Sequence, residues 1–463
     1  MELSTLHLIG LILTIVVVFG IGIYSGRKIK SAADFSVSSR GAGSILVMGT
    51  LLGTLVGGAS TVGTAQMAYL YGFSAWWFTL GGGIACVLIG LFLAGPMRKT
   101  TFETIPQFLA AGYGTPAGVI ATLFVSLGMF INVIPQIFSS SAMLTSMFSL
   151  SVRAAAFYTV IMITLYVVFG GLWGTGMMGL SKILLTCIGM LSVGVLAYLY
   201  MGRAAGLREV FPPYPWFSLF GRGVNTDLAA GFSLLVGVLS SQIYFQALFA
   251  GRDLQAARRG AFLSAVLAPA IGLGGIMVGL YMRANFPGIN PAQALPLFVI
   301  QHLPPWFAGV VLATLLLASI GTAAGLTLGI STMLTRDIIS KMLPRVQDRQ
   351  VLCWFRLVIV GVMLLALVIV YAAGENMLIL QWSYLSQGIR GATVCFPLLA
   401  AIFLKNKISS RAGILAVLLG PVSVIAGGLL RLPVNSLYIG LLVSLVILVA
   451  DYLANRKKAI ASL

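Results

Sequence analysis

The stretch Gly53-Thr54-Leu55-Val56-Gly57-Gly58-Ala59-Ser60-Thr61-Val62-Gly63-Thr64 lies inside an apolar run from 44 to 72. Glycine and hydroxyl residues dominate its middle, and two readings are open. A mid-membrane glycine run can be a close-packing face between helices. It can also be an unwound stretch, whose freed carbonyls coordinate a cation and whose half-helix ends face a solute. A milder counterpart, Gly237-Val238-Leu239-Ser240-Ser241-Gln242, follows five apolar runs later. That spacing is expected when two five-helix repeats, inverted in a membrane, each begin with an interrupted helix.

The surrounding composition admits only a membrane chain. Of the 463 residues, 59% are hydrophobic and 8% charged, against about 25% charged in a soluble domain. A water-facing surface needs polar cover that this chain lacks. Its apolar runs are long enough to cross a hydrocarbon core of about 30 Å as helices. Lipid offers no partner to a free backbone amide, so helices are the route across. A β-barrel would show short alternating segments instead. Thirteen runs are read, near 5–24, 44–72, 75–97, 116–148, 154–173, 180–201, 229–250, 260–282, 306–335, 350–372, 376–403, 410–430 and 434–454. Several exceed the minimum length, so tilt or a break is expected.

The net charge of +18 would suggest nucleic acid in a soluble chain. Here topogenic Lys and Arg account for it, and no nucleic-acid partner is expected. With the N-terminus outside, inside loops hold 21 of the 28 Lys and Arg, from Arg27, Lys28, Lys30 and Arg40 to Arg456, Lys457 and Lys458. Outside loops hold six: Arg153, Arg203, Arg208, Arg222, Arg283 and Arg431. The bias predicts an outside N-terminus and a cytoplasmic C-terminus, as thirteen crossings require. The first run has no basic stretch before it and no clear cleavage site, so it reads as a retained helix. Cys86, Cys187, Cys353 and Cys395 lack metal-ligand spacing and read as small buried hydrophobes.

Several function classes fall away. No P-loop is present, which argues against ATP-driven transport. His7 and His302 lie near run ends, and no acidic residue falls clearly at a run centre, so neither an enzyme nor an organic cofactor is expected. A channel would show a charged ring lining a pore. A membrane solute sensor or receptor module is the alternative of another class. Only about ten residues follow the last run, so no appended kinase is expected.

Four stretches together resemble the sodium:solute symporter family, the relatives of bacterial proline, sialic acid, pantothenate and sugar symporters. Gly58-Ala59-Ser60 falls at the family's first broken core helix. Tyr166-Val167-Val168-Phe169-Gly170-Gly171-Leu172-Trp173 is similar to its Tyr-x-x-x-Gly-Gly-Leu-Trp stretch. Ser331-Thr332-Met333-Leu334-Thr335-Arg336-Asp337 resembles the end of its eighth core helix, and Thr104-Ile105-Pro106-Gln107-Phe108-Leu109 its loop after the second. The resemblance covers nearly the whole chain. It implies an all-α, five-plus-five inverted-repeat (leucine-transporter-like) core in one domain, 1–463. That core would have a leading helix at 5–24, repeats at 44–201 and 229–403, and trailing helices at 410–454. It further implies a secondary active cation:solute symporter in a bacterial-type inner cell membrane. Such a protein imports a small polar solute, a carboxylate among the candidates, by alternating access, with Na+ or H+ as coupling ion.

The family's sodium site would map to the carbonyls of Ala59 and Val62 and to a hydroxyl pair at Gly321-Thr322. Backbone oxygens suit a hard cation whatever the side chain, so sodium at Ala59, Val62 and Thr322 is one expectation. Gly321, however, lacks its hydroxyl. Two acidic positions of the family are Thr61 and Gly179 here, and a glutamine has become Lys182. Distant relatives of the fold, amino-acid transporters without sodium coupling, are similar in placing a fifth-helix lysine there. Lys182 could therefore bring an ammonium to the cation position and exchange a proton; otherwise it is a positive-inside anchor snorkelling to water.

Arg390 sits near the centre of the eleventh run, where an arginine is costly unless it faces a cavity or a partner. It could hold a substrate carboxylate in a bidentate fork, or bond helix-end carbonyls and brace a gate. Gly58, Ser60, Thr61, Thr64, Gln66, Asn132, Gln136, Ser240, Ser241, Gln242 and Gln246 are the other candidates to line a solute site. Amides and hydroxyls suit a small polar solute, although each alone is more often an interhelical hydrogen bond.

Overall fold

The computed structural model describes residues 3–26, 41–98, 104–339, 342, 348–374, 377–405, 407–430, 432 and 434–461. Of the basic residues that set sidedness, Arg27, Lys28, Lys30, Arg40, Lys99, Lys341, Arg345 and Arg431 lie outside them. The described chain is all-helical. Nine helices among the described residues are long and apolar enough to cross a membrane, and four shorter apolar helices accompany them.

The helix α1 (Thr5–Gly26) leads. The run at 44–72 is two half-helices rather than one. α2 (Ser44–Leu55) ends at Val56, whose φ of −93° and ψ of 92° are extended. The chain resumes through a π-helical turn, Ala59–Gly63, into α3 (Thr64–Tyr71). Every residue from Leu55 to Tyr69 is buried, so this break faces protein and not lipid. α4 (Trp77–Leu88), α5 (Ile105–Tyr113) and α6 (Thr115–Phe148) follow.

α7 (Val152–Tyr200) joins the fifth and sixth apolar runs in one helical element of 49 residues. At 1.5 Å per residue that is about 73 Å, more than twice the hydrocarbon core. Its ends nevertheless meet the same end of the bundle. Arg153 O accepts from Tyr371 Oη at 3.1 Å, and the Tyr200 ring lies 5.5 Å from His302. Gly179 instead lies beside Gly53 of α2. The element therefore doubles back between its two apolar stretches.

The second interruption separates α8 (Val224–Val238) from α9 (Gln242–Ala250), with Ser241 extended at φ −96° and ψ 120°. α10 (Leu254–Asn285), α11 (Ala294–His302), α12 (Pro305–Met333), α13 (Asp348–Ala373), α14 (Ile379–Phe403), α15 (Ser410–Leu429) and α16 (Ser436–Ala461) complete the order. α6 packs on α12 and α14, and α7 on α12 and α10, which makes a frame around the interrupted pair. Small residues let these backbones close up, as expected where lipid gives no hydrophobic drive between helices. A Cβ on Gly10 would lie 2.1 Å from Trp306 O, for example. Cys86 and Cys395 are buried as expected, whereas Cys187 is half-buried and Cys353 exposed.

Candidate functional site

The first break is held by its own hydroxyls. The Gly57 amide donates to Ser60 Oγ at 3.0 Å, and Ser60 Oγ and Thr61 Oγ1 each reach Gly57 O at 3.0 Å. Leaving the helix frees these backbone groups, and in a dry interior each needs a partner. The Gly58 amide finds one across the bundle in Gln136 Oε1 of α6, at 2.8 Å. A Cβ on Gly58 would stand 2.2 Å from Ser139 Oγ and 2.5 Å from Ser319 Oγ. Glycine is thus needed for α6 and α12 to close on the break.

Lys182 of α7 enters the same region. Its side chain is buried, and Nζ donates to Gly53 O at 2.8 Å, to Ala318 O at 3.1 Å and to Thr322 Oγ1 at 3.4 Å. The ammonium thus bridges the last turn of α2 to α12. Of the expected cation ligands, Thr322 is part of this cluster and Gly321 borders it. A Cβ on Gly321 would lie 3.5 Å from Lys182 Nζ. Ala59 O instead accepts the Thr64 hydroxyl at 3.5 Å. Val62 is fully buried in the π-helical turn. A sodium ion among these oxygens would stand against an ammonium, and Gly321 would give it no side-chain oxygen. The residues as they stand do not fit a bound sodium ion.

Arg390 of α14 serves the second break. It is 1% exposed; Nη1 donates to Ser241 Oγ at 2.7 Å, Nη2 to Ser386 Oγ at 3.0 Å and Nε to Ser386 O at 3.3 Å. Ser386 Oγ donates in turn to Gly128 O of α6 at 2.6 Å.

The remaining candidates divide. Gln66 spans to the chain before α14, donating to Met377 O and accepting from the Ile379 amide, both at 2.9 Å. Gln242 Oε1 accepts the Ile105 amide at 2.8 Å, and Asn132 Oδ1 accepts Ser383 Oγ at 3.1 Å. Ser240 is buried at the second break. The Gln246 side chain lies outside the described residues. Many of these polar groups therefore tie helices together around the two interruptions.

Sequence reading missed several participants. Ser386 lies one helical turn before Arg390, and Ala318 one turn before Thr322; an i−4 search from each singled-out residue finds both. Arg222, counted among outside-loop residues, pairs with Asp227 at 2.6 Å, with the Asp227 side chain fully buried. The Arg222 guanidinium also lies 6.0 Å from the Tyr384 ring centroid, within cation–π range. Its signal was an acid five residues on, at the start of an apolar run.

Two interrupted helices lie in the middle of an all-helical bundle, each caught by a buried basic side chain. The sequence model of the Sodium:solute symporter family matches residues 35–420, and the chain belongs to that family. Its relatives are transporters. The uncharacterized symporter YwcA of Bacillus subtilis (strain 168) is 24% identical over 181 residues, 39% of this chain and 35% of that protein. The chain thus aligns with about a third of that relative's length. The sodium/pantothenate symporter of Escherichia coli (strain K12) is 22% identical over 437 residues, 89% of this chain and 88% of that protein. A solved Na+-coupled sialic acid symporter, in a substrate-bound outward-open state, superposes with a TM-score of 0.81 at 14% identity over 98% of each chain. At that identity the likeness establishes the fold alone.

Proposed function

We propose that this protein is a secondary transporter that moves a small polar organic solute by alternating access, with the Lys182 ammonium standing where its family places a sodium ion. The observation that carries this reading is the position of Nζ, 2.8 Å from Gly53 O and 3.1 Å from Ala318 O. A cation site between the last turn of an interrupted helix and a frame helix is replaced there by a cation covalently attached to the chain. Coupling then follows a proton on Lys182, or is absent and the protein exchanges solutes. The hydrogen bonds of Lys182 Nζ run to two carbonyls and a hydroxyl, and neither the Arg222–Asp227 nor the Arg252–Asp253 ion pair involves it. An ammonium held only by neutral oxygens can pass its proton to water when the cleft opens.

In this reading the chain crosses thirteen times, N-terminus outside and C-terminus in the cytoplasm of a bacterial-type cell. The repeats are 44–201 and 229–403, the leading helix is 5–24 and the trailing helices are 410–454. Two breaks five crossings apart support that division. Ser60, Thr61, Thr64, Asn132, Gln136 and Ser240 are the residues we assign to meet the solute.

The test is solute counterflow in liposomes holding the purified full chain. A panel of radiolabelled carboxylates, amino acids, polyols and quaternary amines is preselected by thermal shift. Counterflow of at least one solute, undiminished when potassium replaces sodium, is the expected result. Counterflow that requires sodium and survives Lys182→Ala would overturn the role given to Lys182. Saturable binding without flux would favour the sensor class instead.

A further inference from the structure

Arg390 has no carboxylate among its hydrogen-bond partners, and the partners it has are specific. Nη1 holds Ser241, the residue immediately before α9, and Nη2 holds Ser386, whose hydroxyl is anchored on Gly128 O of α6. Ser241 Oγ itself donates to Gly237 O at 2.5 Å, so the hydroxyl is used in both directions. A Cβ on Gly128 would lie 2.5 Å from Arg390 Cγ, which makes this glycine the notch for the arginine stem. The guanidinium therefore fastens the start of α9 to α14 and α6.

Lys182 does the same for α2. Its ammonium fastens Gly53, in the last turn of α2, to Ala318 and Thr322 of α12. On the thirteen-crossing count, the two contact sets are related by the same five-crossing offset as the two breaks. Lys182 lies on the sixth crossing and Arg390 on the eleventh; their frame partners lie on the ninth and the fourth. Both cations hold the half-helix on the same side, because α2 and α9 pack together and are joined by backbone beyond the breaks. Ala42 forms a β-bridge with Gly251, and the Arg252 amide donates to Ala42 O at 2.8 Å. α2 and α9 are thus one mechanical unit. Cations fasten it to the frame at two points, and Gln242 on the Ile105 amide adds a neutral third tie.

We propose that Arg390 is a gate-positioning residue, the second of a matched pair of cationic clamps with Lys182, and that the joined half-helices α2 and α9 leave the frame only when both clamps let go. This rests on the alternating-access reading above. It assigns the arginine to the gate and leaves recognition of the solute to the uncharged residues already assigned to it.

The test is hydrogen exchange on the full chain in lipid nanodiscs, which needs no solute. Ser241→Ala removes the acceptor and leaves Arg390 bound to Ser386; Arg390→Gln removes the clamp. Each should raise exchange across 242–250 about tenfold, the factor lost with one charge-assisted hydrogen bond. Exchange across 44–55 should rise with it through the Ala42–Arg252 link, while 224–238 stays within about twofold. Arg390→Lys keeps a donor and should restore most of the protection, which a purely space-filling role would not predict. Unchanged exchange across 242–250 in both variants would overturn the proposal, as would an equal rise across 224–238. Absence of counterflow in the unaltered protein would instead defeat the transporter reading and leave the exchange result standing, so the two failures are distinguishable.

Discussion

Replacing Lys182 by Gln and Gly321 by Ser in one chain should make the protein respond to sodium. The first change removes the ammonium from Gly53 O, Ala318 O and Thr322 Oγ1. The second adds a hydroxyl next to Thr322. A Cβ on Gly321 meets nothing nearer than Lys182 Nζ at 3.5 Å, so a serine fits without displacing backbone. Two carbonyls and two hydroxyls then surround a space left by a cation, which is the oxygen-rich setting a hard ion needs. With a dissociation constant on the order of 10 mM, 150 mM sodium stabilises the folded state by about 1.6 kcal/mol. For a chain of this length that raises the unfolding midpoint by roughly 1–3 °C. The assay is thermal unfolding of the purified protein in sodium chloride against potassium chloride at equal ionic strength. The unaltered protein should show no sodium-specific shift, and the double variant should. A folded double variant with no sodium response, or an unaltered protein stabilised by sodium as much as the variant, would show that the Lys182 ammonium does not occupy a cation site.

Other consequences are directly measurable. Gly58→Ala forces a Cβ to within 2.3 Å of Ser139 Cβ and should cost about 1–3 kcal/mol by overpacking; Gly361→Ala, with nothing within 4 Å, is the matched control in the same unfolding assay. Asp227→Ala leaves the Arg222 guanidinium, 9% exposed, without its carboxylate and should cost about 3–5 kcal/mol; Arg222→Met/Asp227→Leu should recover most of that loss. At the end of α11, burial lowers the pKa of His302 from its ordinary value, partly offset by its bond to Phe298 O. A folded state that prefers the neutral ring is fully stabilised above the unfolded histidine pKa and loses that contribution as pH falls through the folded one. The unfolding midpoint should therefore drop between pH 7 and pH 5, and His302→Gln should flatten that slope; an unchanged slope would dissociate the histidine from it.

The interruption at 56–58 was legible because its residues break a local rule. Glycine and hydroxyl residues replace the aliphatic side chains a lipid-spanning helix favours, and the structure shows extended Val56 with hydroxyls capping the loosened turn. The second interruption was fainter in sequence, since only Gly237 and the two serines mark it, yet Ser241 is fully extended. Lys182 stands out by its departure from a motif and Thr322 as an expected cation ligand; the carbonyl acceptors do not, because backbone carbonyls leave no trace in residue type. Ala318 and Gly53 could equally have been packing residues. Ser241 is legible as part of the second interruption, but its pairing with Arg390 and the role of Ser386 are not, because serines one turn away or on a distant element are ordinary membrane-helix residues until the fold brings them together. The fifth and sixth runs read as separate spans because hydropathy dips between them, and the structure keeps two apolar stretches, Val152–Val168 and Gly179–Tyr200, within one helical element.

An attached ammonium, and not a mobile metal ion, is proposed to hold the first interrupted helix to the frame. Equilibrium binding of 22Na+ to the purified full chain in nanodiscs tests it most directly. No saturable binding is expected up to about 100 mM at neutral pH, a concentration at which a millimolar site would be more than nine-tenths filled. Saturable binding to the unaltered protein, with an affinity that Lys182→Ala leaves unchanged, would contradict it.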